Sequence, residues 1–180
     1  SNGLELVAMG TPDPASPEMT LIQQSCDNAA ARIRFFRIAF GSANDITPNA
    51  ARDARATLAD HYVATRILTD WHGDQTTPRH VVQIGFLCAL CLEAALPQGG
   101  QLTITSTKQT VVAEATGPVV QRDKGLWPWL DTPQPETPLR PAHVQFALLA
   151  QLCTDGVRVS DIAFDEGQAR MVVQIGSNAG

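Results

Sequence analysis

Two groups of residues in this chain have types and spacings that could do chemistry. The first is a Cys-x-x-Cys, Cys88 and Cys91, which is half of a zinc site or a redox dithiol. Either use asks for more: a second ligand pair at metal spacing, or a strand running into a helix that opens at the motif. The pair instead lies inside VVQIGFLCALCLEAAL, with apolar neighbours on both sides, where a free cysteine behaves as a small buried hydrophobe. With Cys26 and Cys153 there are four cysteines, too few and too apolar in setting for a disulfide scaffold. The second group is basic. Arg34 and Arg37 are three apart and share one helix face, whereas Arg32 points elsewhere. Guanidinium groups suit phosphoryl oxygens and carboxylates, although two arginines beside an apolar seam can also be merely solubilising. His61, His72, His80 and His143 have no companion Cys, Asp or Glu cluster at ligand spacing, so no metal site is expected. His61 and Tyr62 read as ordinary surface-to-core residues. No Ser-His-Asp order and no phosphate loop is present.

The bulk properties narrow the classes. One or two domains fit 180 residues, and 44% apolar residues can build a core. A net charge of -5 and an isoelectric point near 5.2 argue against wholesale nucleic-acid binding. No run of eighteen apolar residues occurs and no signal peptide opens the chain, so a cytoplasmic protein with no membrane partner is expected.

The element that must position the arginines is Pro17 to Gly41. Met19, Ile22, Cys26, Ala29, Ile33, Phe36 and Phe40 alternate gaps of three and four, the seam of a helix in a left-handed bundle. Ser16 or Asp13 can cap it, Pro17 suits the first turn, and Gly41 stands where a helix ends. At about 1.5 Å per residue the rod is roughly 36 Å long and needs a partner of similar length. Only Ser1 to Met9, carrying Leu4, Glu5 and Leu6, precede the turn-rich GTPDPASP. That mismatch suggests a first helix that has lost its N-terminal half. A two-helix hairpin leaves its groove open, so dimerisation into a four-helix bundle is expected, with Leu6 and the seam residues as its core.

After a break at Gly41 to Asp45, Thr47-Pro48 opens a helix to about Ala64, with Ala51, Ala54, Leu58 and Tyr62 on one stripe. Arg66 to Trp71 reads as a short strand. Thr77-Pro78 reads as a cap and first-turn proline for a buried helix over Arg79 to Leu96, stopped by Pro97-Gln98-Gly99-Gly100. Strands over Gln101 to Thr107 and Thr110 to Thr116 follow, then an irregular stretch from Gly117 to Pro141. A helix over Ala142 to Cys153 and a hairpin of Val157 to Phe164 with Ala169 to Ile175 complete the order.

This order resembles the ATP-binding domains of sensor histidine kinases, placed after a helical hairpin. The two positions where those kinases carry magnesium-holding asparagines fall on Leu87 and Cys91, which offer no oxygen to a hard cation. Their Asp-x-Gly-x-Gly is here Ala115-Thr116-Gly117-Pro118-Val119, so the adenine-reading aspartate is alanine and the second glycine is valine. The later glycine-rich box is Leu139-Arg140-Pro141-Ala142-His143, with no glycine to let amides approach phosphate. Leu87, Cys91, Ala115 and Val119 thus mark a lost nucleotide site, and no ATP binding is expected. The chain is similar to the ChpT-like histidine phosphotransferases. The likeness is carried by Asn2-Gly3-Leu4-Glu5-Leu6, by Ala31 to Gly41 (ARIRFFRIAFG) and by Glu93-Ala94-Ala95-Leu96-Pro97.

The resemblance implies an α+β fold: a helical hairpin over 1–41, dimerising into a four-helix bundle, then a degenerate, Bergerat-like pseudo-ATPase sandwich over 45–176. It implies a homodimer that passes phosphoryl groups between receiver domains of a hybrid kinase and of response regulators, with magnesium supplied by the receiver. The family's acceptor histidine lies about three turns upstream of Asn-Gly-Leu-Glu-Leu, hence before Ser1. None of the four histidines here is followed by the acidic residue of that motif. No catalytic residue is therefore expected within the chain. Hairpin arithmetic puts that histidine roughly 30 Å up the first helix, opposite Arg34 to Arg37. Leu4, Glu5, Gln23 and Asp27 are candidate receiver contacts, with a solvated helix face as the plainer reading. Trp127 and Trp129 lie where kinases have the ATP lid, and read as core filling the vacated pocket or as an aromatic anchor for a receiver. A non-catalytic dimeric adaptor for receivers is the alternative function.

Overall fold

Ser16 starts the first described helix, α1 (Pro17–Ala39). Its Oγ accepts the Met19 amide at 3.2 Å, Pro17 fills the first turn and Glu18 complements the positive helix end. The computed structural model describes residues 16–41, 53–74, 76–131, 138–153 and 156–176. The segment of Leu4, Glu5 and Leu6 lies outside these residues, as do Asp13, Thr47-Pro48 and Ala51.

Two faces of α1 differ. Ala31, Phe35, Ile38 and Ala39 are buried against α2 (Ala54–Tyr62) and α3 (Arg79–Glu93). Phe35 is the anchor, stacked on Phe86 at 4.6 Å and on His61 at 3.8 Å. The foot of α1 is also tied by polar bonds. Gln83 Nε2 donates to the carbonyls of Ala39 (3.2 Å) and Gly41 (2.8 Å), and Arg79 Nη2 to that of Arg37 (3.3 Å). These satisfy carbonyls that a helix end leaves unpaired.

On α2 the expected stripe of Ala54, Leu58 and Tyr62 is buried, but the helix stops at Tyr62 rather than Ala64. The Thr65 amide and hydroxyl both turn back onto the Tyr62 carbonyl, which closes the end early. Strand β1 (Ile67–His72) follows, and then α3, buried continuously from Val81 to Leu92. Thr77 does not cap α3. Its hydroxyl donates to the Asp74 carbonyl at 2.6 Å, and Pro78 itself, in extended conformation, holds the cap position. Gly85 lets α3 approach the sheet, since a Cβ there would meet the Trp71 ring at 2.7 Å.

The turn after α3 needs glycine. Gly99 has φ +85°, and the Gly100 amide reaches the Arg66 carbonyl at 3.0 Å. Strands β2 (Gly100–Ser106), β3 (Thr110–Thr116), β4 (Val157–Asp165) and β5 (Gln168–Ile175) complete a five-stranded sheet in the order β1-β2-β3-β5-β4. Only β1 and β2 are parallel, because α3 crosses over between them. Alternation divides the sheet. Leu102, Ile104, Val111, Ala113, Ala115, Met171 and Val173 face the helices, while Glu114 and Asp161 pair with Arg170 on the other face at 3.6 and 3.2 Å.

The stretch read as irregular holds one turn of helix, α4 (Pro128–Asp131), which packs on α5 (Val144–Leu152). The helix expected from Ala142 begins as a 3₁₀ turn, Pro141–His143, before α5. Trp127 is fully buried, edge-on to Phe146 (5.2 Å) and Phe164 (4.8 Å), and Trp129 is half-buried. The mixed fold with helices on one face of a five-stranded sheet agrees with the expected class.

Candidate functional site

Start from the other face of α1. Ile22, Cys26, Ala29, Ile33, Phe36 and Phe40 are exposed and Met19 is half-buried, so every seam residue predicted from spacing lies off the packed face. Ile33 is 67% and Phe36 38% accessible, and the Phe36 and Phe40 rings stack at 5.3 Å. These apolar side chains form an exposed row along α1.

At its foot this row runs into a cleft of about 620 Å³ at the waist of the molecule. Arg32, Phe36 and Phe40 form one wall, His61 and Thr65 the end of α2, and Leu90, Glu93 and Ala94 the end of α3. Pro141 to Gln145 close the far side. The volume falls within the range of ligand sites.

The polar groups of the cleft are held in unusual states. The His61 ring lies flat on Phe35 and edge-on to Phe36, and its Nδ1 is buried without a hydrogen-bond partner among the described residues. Burial, then the nearby Arg32 charge, lowers its pKa to about 4, so the imidazole is neutral at physiological pH. The Glu93 carboxyl is pushed up by burial, against the Tyr62 hydroxyl bonded to its Oε2 at 2.8 Å and against Arg32. Burial and then Glu93 push the Tyr62 phenol well up. His143 adds a second buried Nδ1 with no partner among the described residues. Buried polar atoms without partners are rare in folded proteins, and both of these belong to residues that line the cleft.

The residues singled out from sequence fall elsewhere. Arg34 is ion-paired with Asp60 of α2 at 3.3 Å, both about half exposed. Gln23 donates to Asp27 at 3.0 Å along the exposed side of α1. Arg37 is exposed, and its backbone carbonyl, not its guanidinium, makes the bond to α3. Cys88 and Cys91 are wholly buried, and burial first of all raises both thiols above the ordinary cysteine value. Among the described residues no cluster of His, Cys, Asp or Glu could hold a metal, and no helix is long and apolar enough to cross a membrane.

Positions that correspond to the kinase nucleotide site are packed. Leu87, Cys91 and Ala115 have no exposure, Val119 is half-buried, and Trp127 belongs to the same apolar cluster as the first three. These side chains carry neither an oxygen ligand for magnesium nor a carboxylate for an adenine amino group.

Sequence spacing missed the cleft because four separate segments assemble it. The sole signal available was negative: Arg32 off the arginine pair, and His61 one residue before a stripe tyrosine.

Comparison with known proteins adds the family. Residues 51–160 match the histidine phosphotransferase C-terminal domain. Over 106 residues the chain is 32% identical to the protein phosphotransferase ChpT of Brucella abortus (strain 2308), covering 58% of this chain. It spans about half (50%) the length of that curated relative. A solved bacterial phosphotransferase structure superposes with a TM-score of 0.69 at 23% identity, over 96% of this chain and 85% of that one. At that identity the likeness concerns the fold.

Proposed function

Because the chain belongs to the histidine phosphotransferase family, we propose that it serves a two-component phosphorelay, passing phosphoryl groups between receiver domains without nucleotide. The observation that carries this reading is the contrast in one body between packed nucleotide positions and an open, apolar row on α1. The row calls for a second helix and, with it, a second copy of the chain. The homodimer would bury Leu6, Met19, Ile22, Cys26, Ala29, Ile33, Phe36 and Phe40 in a four-helix bundle. On this reading the acceptor histidine belongs to the helix paired with α1, and Gln23, Asp27, Arg34 and Arg37 on the exposed side of α1 border the receiver. We divide the chain accordingly into a stalk over 1–41 and a pseudo-ATPase body over 45–176.

The transfer balances without a cofactor of this protein. The lone pair of a neutral imidazole nitrogen attacks phosphorus in line, and an N–P bond forms. The P–O bond of the receiver's aspartyl phosphate breaks, and its electron pair returns to the aspartate carboxylate. The ring keeps its other N–H, and the receiver brings its own magnesium.

The test offers a phosphorylated receiver to the full-length protein and follows radiolabel. Acid-labile label on this protein, then on a second receiver, is the expected result. Receiver binding with no transfer would favour the dimeric adaptor. For the bundle, light scattering should give twice the chain mass, and Ile33→Asp should shift it toward the monomer.

A further inference from the structure

We infer that Arg32, at the mouth of the waist cleft, is the residue that takes hold of the phosphoryl oxygens during transfer. This rests on the phosphotransfer reading above. Three observations converge on it.

Position comes first. Arg32, Phe36 and Phe40 are four residues apart in turn, hence on one side of α1, and all three line the cleft. Ile33, Phe36 and Phe40 form the row that a paired helix must cover, so a group projecting from that helix at this height meets the Arg32 guanidinium at the rim. Availability comes second. The Arg34 charge is already opposed by Asp60 at 3.3 Å, and Arg34 lies two residues on, nearly opposite on the helix. Among the described residues Arg32 has no ion pair, and the nearby Glu93 carboxyl is engaged by Tyr62. The third observation is the lining itself: among the described residues around the cleft, Arg32 is the one arginine or lysine, and it is exposed.

The chemistry follows from the guanidinium. Its fork donates two N–H groups to two oxygens of one phosphoryl group, which offsets their charge and holds phosphorus in line while the P–O bond breaks and the N–P bond forms. No proton leaves Arg32 in the step.

The test compares Arg32→Gln, Arg32→Lys, Arg32→Ala and the control Lys108→Gln in the full-length protein, with a phosphorylated receiver as donor. Single-turnover transfer and receiver affinity are measured side by side. Arg32→Gln should slow transfer about 10- to 100-fold, the scale of a lost charge-assisted hydrogen bond, with receiver affinity unchanged. Arg32→Lys should recover part of the rate, and added methylguanidinium should partly rescue Arg32→Ala. Lys108→Gln, on the exposed β2-β3 turn, should leave the rate within about twofold of wild type. If wild type moves no label, the phosphotransfer reading fails and Arg32 with it. If wild type transfers and Arg32→Gln matches it, or loses receiver affinity in proportion to rate, the assignment is overturned while the relay stands.

Discussion

The two flanks of α3 make an instructive pair. On one flank Leu87 and Cys91 are sealed among apolar neighbours. On the other, Leu90 and Glu93 border the cleft that His61 and His143 also line, and each of those histidines has a buried Nδ1 with no partner among the described residues. The two positions to which the kinase resemblance would assign magnesium ligands are ordinary core. At the waist it keeps groups that cost free energy to bury, and such groups persist where the surrounding structure or a visiting partner makes use of them. The first flank holds the fold, and the second is where chemistry is to be sought.

Breaking the sealed flank should have the largest effect. Trp127→Ala removes a fully buried ring from between Phe146 and Phe164 and should cost about 3–5 kcal/mol, read as a fall in Tm or in the denaturant midpoint. Leu87→Asn places an amide where no partner stands and should cost about 2–4 kcal/mol, with no gain of ATP affinity by calorimetry. A stable variant that binds ATP would mean the flank is not sealed.

The open flank answers to pH. His61 binds fewer protons folded, with a pKa of about 4, than unfolded, near 6.5. Stability is therefore full above the unfolded value and is lost as pH falls toward the folded one, by about 2 kcal/mol between pH 7 and pH 5. Glu93 has the opposite sign: its raised folded pKa makes stability fall as pH rises through it. Urea melts of His61→Phe should lose the acid-side decline. A wild-type slope that survives the substitution would place it on another group.

The smallest effects belong to exposed α1. Ser16→Ala should cost about 1 kcal/mol by removing the cap on the Met19 amide. Arg34→Ala should stay within about 0.5 kcal/mol, as expected for a half-exposed ion pair. A larger loss at Arg34 would make the Asp60 contact structural rather than incidental.

What could be read from the sequence was what neighbours in the chain decide. The Ser16 cap, the long helix that follows it, the buried Cys88 and Cys91, and the β2-β3 pair all depend on spacing within a few residues. Proline chemistry was less legible. Pro78 looked like a first-turn residue and is the cap, and Pro141 opens a 3₁₀ turn where a plain helix was expected. The single turn at Pro128–Asp131 is too short to show periodicity. The cleft was invisible for a different reason. It joins Arg32, His61, Glu93 and His143, whose nearness depends on how α1 leans on α2 and α3, a tertiary matter that no local pattern encodes. Arg34 and Arg37 were rightly placed on one face, and that face turned out not to be the one that meets the opening.

One side chain sets how the stalk answers to force. Gln83 grips two successive ends of carbonyl at the base of α1, through Ala39 and Gly41. Ile22 stands about 25 Å up the same rod. A load applied there cannot dissipate in a loose joint, because swivelling the base would forfeit both bonds. The rod is thereby clamped at its foot to α3, the helix that lies on the sheet.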